Sequence, residues 1–151
     1  MNSEPKEIVD IFCEYLLTLL GLPYHWGGDD PMEGFDCSGI VIEAGKAVGL
    51  FPRGYDANAQ SLYDKYKMDP PILQHQALKG DLVFFGRDIH NVSHVGVVIF
   101  PGKSIMIEAG GGKEQTVDLD TAKKDNAFIR LRPYRIDKIG FGDLFSSKLL
   151  R

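Results

Sequence analysis

Three segments between residues 81 and 110 carry the apolar patterns of β-strands, and short links join them. They read DLVFF (81–85), SHVGVVIF (93–100) and KSIMIEAG (103–110), and they are rich in β-branched and aromatic residues. The tripeptide FPG (100–102) connects the second segment to the third, and its length is typical of a β-hairpin loop. The second and third segments are therefore predicted to pair as antiparallel strands.

The residues before these strands carry helical patterns. Residues 4–20 place apolar side chains at helical spacing, which predicts an amphipathic first helix. The stripe consists of Val9, Phe12, Cys13, Leu16, Leu19 and Leu20. Cys13 lies on this stripe, and we interpret it as a small core hydrophobe.

A loop and a second helix follow the first helix. Residues 23–36 contain two prolines, three glycines and four acidic residues, a composition typical of a loop. From Cys37 onward, the pattern CSGIVIEAGKAVGL predicts a helix that Asp36 caps and Gly49 ends. The predicted buried face of this helix consists of Ile40, Val41, Ala44, Ala47 and Val48.

Composition limits the class of protein. A chain of 151 residues with 44% hydrophobic and 25% charged residues is expected to form one domain (1–151) around one core. The net charge of -4 gives no basic surface for nucleic acid. The apolar stretch LLTLLGL (16–22) is too short for a membrane span and follows acidic residues, so we expect neither a signal peptide nor a membrane partner.

Cys37 is the candidate nucleophile. A cysteine in the first turn of a helix lies near unpaired backbone N–H groups and the positive end of the helix dipole, which favour a thiolate. The adjacent glycine-rich loop would leave it accessible. A structural cysteine at a helix start is an equally good interpretation until a base is identified. Neither cysteine belongs to a metal-ligand spacing, and no cofactor is predicted.

His94 is the strongest candidate for that base among four histidines. His25, His75 and His90 lie in loop-like segments, whereas His94 opens a predicted strand. Strand alternation places His94, Gly96 and Val98 on one face of the sheet. A glycine in a strand often marks a close approach, and we expect Gly96 to accommodate the Cys37 helix turn.

Glu108 is the candidate for a third group that orients the imidazole. With FPG as a three-residue loop, Ile99 faces Lys103 and His94 faces Glu108, at a Cβ separation of about 4.5–5.5 Å. A two-residue turn would shift the register by one and direct Glu108 away from His94. In that case, Glu108 is a surface carboxylate at a strand end.

The chain contains, in this order, the segments PYHWGGDDPMEGFDCSG, LFPRGYDANAQ, KGDLVFF, SHVGVVI and IMIEAGGG, over roughly residues 23 to 135. With these segments it resembles the NlpC/p60 family of cell-wall cysteine peptidases. It implies an α+β, papain-like fold with N-terminal helices packed on a central antiparallel sheet. It also implies hydrolysis of peptidoglycan stem peptides, typically between D-glutamate and a diamino acid.

The resemblance also implies roles for single residues. Cys37 matches the family nucleophile and His94 its base, and Tyr24 matches a tyrosine beside the nucleophile. Asp36 and Ser38 match residues that line the pocket for the free amine of the stem peptide. Where the family usually has histidine, asparagine or glutamine as third residue, this chain has Glu108. Trp26 is a candidate for stacking on substrate, although a lone tryptophan is more often a packing residue.

Two questions stay open at the level of sequence. The first is delivery to the wall, for which we favour a phage-associated enzyme carried by tail proteins over a wall-peptide recycling enzyme or a processed fragment. The second is activity itself. The alternatives to a peptidase are a non-catalytic tail-assembly or wall-binding module whose site has drifted at Glu108, and an amidase or acyltransferase of the same fold.

Overall fold

The computed structural model describes residues 5–30, 34–134 and 137–146. In chain order the helices are α1 Pro5–Thr18, α2 Cys37–Ala47, α3 Ala59–Tyr66 and α4 Leu119–Asp125, with 3₁₀ turns at Gln74–Gln76 and Pro101–Lys103. The strands are β1 Asp29–Asp30, β2 Gly34–Phe35, β3 Leu82–Gly86, β4 Val92–Phe100, β5 Ile105–Gly110, β6 Phe128–Pro133 and β7 Lys138–Gly142. The predicted α+β class is confirmed.

Five of the strands form one antiparallel sheet in the order β6-β5-β4-β3-β7. Helices α1 and α2 pack against each other, and α2 packs on β4 and β5. The main core lies between these helices and one face of the sheet, where β4 contributes Val95, Val97 and Ile99. A smaller cluster that includes Val98 and Met106 covers the opposite face. The predicted alternation along β4 is confirmed.

Helix α1 buries most of its predicted apolar stripe. Phe12 and Leu16 are fully buried, and Cys13 is buried beside them. The described helix ends at Thr18, two residues before its predicted end, so Leu20 falls outside the helix and is 41% exposed. The prediction that Leu20 lies on the buried stripe was wrong, because helical spacing no longer applies past the last turn. Residue 4, the predicted start, lies outside the described residues.

Helix α2 begins and ends as its sequence predicts. The side chain of Asp36 accepts a 2.7 Å hydrogen bond from the Gly39 amide, which is an N-cap interaction. Gly49 follows the helix with a φ of 76°, a backbone conformation that favours glycine. Ala47, predicted on the buried face, is exposed, so that part of the prediction was wrong, whereas the adjacent Val48 packs against the core.

The segment 23–36, predicted as a loop, contains a small antiparallel pair. Strand β1 pairs with β2, and Tyr24 forms a bridge with Phe35. Residues 31–33 lie outside the described residues. This pair leads the chain directly into α2. Within the described parts of the chain, no helix is both long and apolar enough to cross a membrane.

The hairpin between β4 and β5 has a different register from the predicted one. Val97 pairs with Ile107 and Val98 with Met106, and the ladder shifts before Phe100 pairs with Ile105. The link is a 3₁₀ turn, Pro101–Lys103, followed by Ser104 in the left-handed conformation, so it is longer than FPG alone. Extending the observed pairs places Glu108 opposite Gly96. The predicted pairing of Ile99 with Lys103 and His94 with Glu108 was therefore wrong, by two residues.

Gly96 makes room for a different neighbour than predicted. A Cβ atom at Gly96 would lie 2.6 Å from the sulfur of Met106 and 3.2 Å from the carbonyl oxygen of Ile107. These neighbours belong to β5 and not to the first turn of α2. The glycine therefore serves the packing of Met106, and the expected contact with the Cys37 helix turn was wrong.

Candidate active site

Cys37 is the first residue of α2 and lies at the edge of an open cleft. The start of α2 abuts the glycine loop, because a Cβ atom at Gly39 would collide with the carbonyl oxygen of Gly28. The Asp36 amide donates a 3.0 Å hydrogen bond to the same Gly28 oxygen. The glycine in the sequence DCSG thus lets the loop close over the helix start, and this contact fixes the position of Cys37.

His94 lies on β4 between two potential partners. Its Nε2 is 2.8 Å from Oε1 of Glu108. Cys37 lines the same cleft, and its thiol lies 3.9 Å from the carbonyl oxygen of Ser93, the residue before His94. Because Nε2 is engaged by the carboxylate, Nδ1 is the ring nitrogen available to the thiol. The ring packs beside Phe85 at a centroid distance of 5.6 Å. The structure therefore brings together the three predicted residues Cys37, His94 and Glu108.

Glu108 reaches His94 even though the two residues are not directly opposed. A shift of two residues keeps a side chain on the same face of the sheet, and diagonal neighbours about 7–8 Å apart remain within reach of long side chains. The Glu108 side chain is 1% exposed, so it is not a surface carboxylate at a strand end. The predicted contact is confirmed, although the predicted register was wrong.

The pKa values of His94 and Glu108 move in opposite directions. Burial alone would lower the pKa of the His94 imidazole, but its hydrogen bonds with Cys37 and Glu108, together with their negative charges, raise it to about 9. Burial alone would raise the pKa of the Glu108 carboxyl, but His94 and then Arg130 and Arg132 lower it to about 2. At neutral pH the arrangement favours an imidazolium held by a carboxylate.

Two arginines of β6 complete the surroundings of Glu108, and sequence reasoning missed them. Arg130 Nε lies 3.1 Å from Oε2 of Glu108, and Arg132 Nη1 lies 3.2 Å from the same oxygen. A signal was present in the sequence, because the alternation in FIRLRP places both arginines on one face of a strand. The sequence did not indicate that β6 pairs with β5, which is what brings the arginines to Glu108.

Tyr24 and Trp26 line the same cleft as Cys37 and His94. Tyr24 is buried, and burial, followed by the charges of Cys37 and Asp36, raises the pKa of its hydroxyl. A Cβ atom at Gly112 would overlap the Tyr24 ring, so the glycine run after β5 admits this tyrosine. Trp26 is 47% exposed, which leaves its indole free to contact a ligand. Substrate binding by either residue stays a prediction.

Asp36 and Ser38 lie on either side of Cys37 in the sequence and make internal contacts. The Asp36 carboxylate accepts hydrogen bonds from the Gly39 amide, the Gly27 amide at 3.1 Å and the Ser38 hydroxyl at 3.3 Å. Burial raises the pKa of this carboxyl despite these three bonds. Ser38 is 7% exposed. A carboxylate offers about four lone-pair sites, so the contacts leave Asp36 little capacity for a ligand amine without rearrangement.

The remaining histidines lie outside the cleft. His75 and His90 are exposed, and His25 directs Nδ1 to the carbonyl oxygen of Trp26 at 3.0 Å. Among the described residues, His, Cys, Asp and Glu side chains form no cluster of three or more suited to a metal ion. The reactive groups that line the cleft are therefore a thiol, an imidazole and a carboxylate.

Comparison with known proteins adds a family match. The model of the NlpC/P60 family matches residues 21–132, which contain all of the cleft residues named above. Among curated proteins, the murein DD-endopeptidase MepH of Escherichia coli K12 is 37% identical over 121 residues, 78% of this chain and 43% of that protein. The bifunctional muramidase/DL-endopeptidase CwlT of Bacillus subtilis is 38% identical over 86 residues, 55% of this chain and 24% of that protein. The chain thus spans less than half the length of these relatives.

Solved structures with the same fold include a hydrolase and a non-catalytic protein. The peptidoglycan hydrolase RipB of Mycobacterium tuberculosis superposes with a TM-score of 0.69 at 23% identity, over 94% of this chain and 67% of that chain. RipD of the same organism, described as a non-catalytic NlpC/p60 domain protein adapted to peptidoglycan binding, gives a TM-score of 0.63 at 24% identity, over 89% and 94%. At these identities the likeness establishes the fold alone.

Proposed function

Because the chain belongs to the NlpC/P60 family, we propose that it is a cysteine endopeptidase that hydrolyses peptide bonds in peptidoglycan stem peptides. The observation that carries this proposal is the single cleft lined by Cys37, His94 and Glu108, with the thiol at the start of α2 and the imidazole bonded to the carboxylate. The related endopeptidases named above support the class of reaction. A nucleophile, a base within hydrogen-bonding reach and a group that orients the base are the parts that covalent catalysis requires.

The first chemical step follows from the two ring nitrogens. His94 Nδ1 accepts the Cys37 proton and forms a thiolate–imidazolium pair, while Nε2–H donates to Glu108. The thiolate attacks the scissile carbonyl carbon, and the imidazolium then gives its proton to the leaving amine as the C–N bond breaks. An acyl-enzyme remains on Cys37. Water, deprotonated by His94, attacks the thioester, releases the carboxylate product and restores the thiol–imidazole couple.

The start of α2 also supplies a donor for the oxyanion. The backbone N–H of the first helical residue has no acceptor within its own helix, and Cys37 is that residue. This N–H and the positive end of the helix dipole stabilise the negative oxygen that forms during attack. The Tyr24 hydroxyl, on the same cleft, is the second proposed donor.

The scissile bond is proposed to lie between D-glutamate and a diamino acid. In this assignment the internal hydrogen bonds of Asp36 and Ser38 rearrange so that both residues receive the free amine of the stem peptide, and Trp26 stacks on the substrate at the exposed rim. The resemblance to the family supports the assignment. The named relatives include a DD- and a DL-endopeptidase, so both types of bond belong in the test.

The experiment is digestion of purified peptidoglycan fragments, read by mass spectrometry of the products. Substrates with a D-glutamyl–diamino acid bond and substrates with a D,D cross-link are incubated separately with wild type and with Cys37→Ala. The proposal predicts new amine and carboxyl termini at the D-glutamyl bond with wild type alone. Cleavage of the cross-link only would correct the bond assignment.

The second candidate function is a wall-binding module, and RipD shows that this fold accommodates one. The presence of Cys37, His94 and Glu108 in one cleft, with His94 bonded to Glu108, favours catalysis instead. Retention on insoluble peptidoglycan with no cleavage of any fragment would establish the binding module in place of the peptidase. Phage-tail delivery stays a prediction, since the relatives named here come from bacteria.

A further inference from the structure

The carboxylate of Glu108 divides its contacts between two groups of partners. Oε1 lies 2.8 Å from His94 Nε2, and Oε2 takes the two arginines at 3.1 and 3.2 Å. The pairing of β6 with β5 produces this division, because it places Arg130 opposite Glu108 and Arg132 opposite Met106. The two arginines alternate to the same face of the sheet as Glu108.

A carboxylate so deeply buried needs partners of this kind. An ionised group out of contact with water takes up a proton unless opposite charges and hydrogen bonds compensate for lost hydration. If Glu108 were protonated, it would carry no charge to hold the imidazolium. Its O–H group would also be a donor where the N–H of His94 Nε2 needs an acceptor. The charged or titratable groups around it are His94 on β4, Arg130 and Arg132 on β6, and Cys37 on α2 beyond His94.

We propose that Arg130 and Arg132 are positioning residues of the active site, which hold the Glu108 carboxylate ionised and in one orientation so that Oε1 remains on His94 Nε2. The inference rests on the proposed function for its catalytic consequence. Arg130 is held in turn, since its Nη1 donates to the Asn126 carbonyl oxygen at 3.3 Å. The chain of contacts then runs from the α4–β6 junction through Glu108 to His94.

Gly110 provides an independent observation for the same arrangement. A Cβ atom at this position would collide with Oε2 of Glu108 and lie 2.7 Å from Nη2 of Arg130. Any larger residue would therefore force the carboxylate and the guanidinium out of their contact. This glycine, the last residue of β5, therefore leaves space for the ion pair.

The competing role for the arginines is recognition of a substrate carboxylate. Their side chains are 29% and 36% exposed and line the cleft, so a ligand can reach them. The two roles differ in what they predict. Loss of a positioning residue lowers kcat and changes the titration of Glu108 in the absence of substrate. Loss of a residue that only contacts substrate raises KM, and the remaining charges keep the titration of Glu108 largely unchanged.

The first test reads Glu108 directly, in protein that cannot turn over. Carboxyl ¹³C chemical shifts of labelled glutamate are followed against pH in Cys37→Ala, and Glu108→Gln identifies the resonance. In Cys37→Ala the Glu108 signal should show no protonation down to about pH 3, and Arg130→Gln with Arg132→Gln should raise its midpoint by about one unit. Arg53→Gln, beside Glu43 and Lys46 near the far end of α2, is the matched control.

The second test separates charge from geometry. Lysine keeps the positive charge but loses the planar guanidinium fork, so Arg130→Lys with Arg132→Lys should keep Glu108 ionised while kcat falls. We expect the double Gln variant to lose about 10- to 100-fold in kcat with little change in KM. An unchanged Glu108 midpoint in the double Gln variant, or a raised KM at constant kcat, would overturn the proposal. If the double variants fail to fold, the four single variants give the same two readouts.

The two proposals fail in distinguishable ways. If wild type cleaves no peptidoglycan fragment, the proposed function fails, while the Glu108 titration still decides whether the arginines hold the carboxylate. If wild type cleaves and the titration does not move, the positioning role fails and the peptidase stands.

Discussion

Helices α1 and α2 each carry one cysteine, and the two cysteines lie in opposite surroundings. Cys13 lies inside α1, 3% exposed, and burial raises the pKa of its thiol to about 12 although Lys79 opposes this. Cys37 is the first residue of α2 and lies half-buried in the same open cleft as His94. A thiol in the middle of a buried helical stripe is held protonated, whereas this thiol at a helix start is accessible and has an imidazole nearby.

The comparison shows that location within a helix decides which thiol can act. Both helices contribute apolar side chains to the core and both cysteines contact it. The difference lies in the first turn, where backbone N–H groups face outward and the loop before α2 is closed by Gly28 and Gly39. Substitutions at the two cysteines, at the histidines and at Glu108 test this contrast, in order of decreasing effect.

Replacing the two cysteines separately should give the largest difference. Cys37→Ala should lower turnover by more than about 10⁴-fold, since no acyl-enzyme can form. Cys13→Ala should retain turnover and lose about 1–2 kcal/mol of unfolding free energy, because it leaves a small cavity in the core. Product formation and chemical denaturation measure the two effects. Comparable turnover in both variants would remove the distinction.

Replacing histidines tests which base serves Cys37. His94→Ala should lower turnover by about 10²- to 10⁴-fold, because both proton transfers depend on this imidazole. His75→Ala and His90→Ala, at exposed positions, are the controls and should remain close to wild type. Circular dichroism of each variant checks that the fold is kept. An equal loss in His90→Ala would place the base on the loop before β4.

Replacing Glu108 should produce a smaller loss and a shift with pH. Glu108→Ala should lower turnover by about 10- to 1,000-fold, since orientation and charge are both lost. Glu108→Gln keeps a hydrogen-bonding group, removes the charge and so lowers the pKa of His94 from about 9. The alkaline limb of its turnover profile should therefore begin at lower pH than in wild type. Superimposable profiles would show that the charge of Glu108 does not reach His94.

The smallest expected effect concerns acid stability. A carboxyl whose folded pKa is lowered to about 2 contributes stability above its unfolded value of 4.5, and this contribution is lost as pH falls through about 2. Glu108→Gln lacks that contribution, so its unfolding free energy should decline less between about pH 5 and pH 2, by about 1–3 kcal/mol. Urea unfolding across this range measures the difference. Parallel declines in the two proteins would contradict the lowered pKa.

Much of this site was predictable from local signals in the sequence. Helical spacing placed Cys13 in the core, and a cap followed by a helix placed Cys37 at its start. Period-two alternation put His94 and Glu108 on one face of the sheet. Their contact survived an error of two residues in register, because an even shift preserves the face.

The remaining features depended on long-range pairing, which local patterns do not specify. The 3₁₀ turn with Ser104 in the left-handed conformation changed the register of the hairpin. Serine is not one of the residue types that indicate this conformation, so the sequence did not predict it. The arginines of β6 became part of the site only once β6 was known to pair with β5. The internal contacts of Asp36 likewise depend on how the glycine loop folds back.

Brief alkylation of the folded protein shows whether Cys37 is the reactive thiol and whether His94 activates it. Wild type and His94→Ala are treated with iodoacetamide at about pH 6, and peptide mapping follows modification of each cysteine over time. We expect rapid modification of Cys37 in wild type, at least about tenfold slower modification of Cys37 in His94→Ala, and modification of Cys13 only after unfolding. Faster labelling of Cys13 than of Cys37, or equal Cys37 rates in the two proteins, would contradict this expectation.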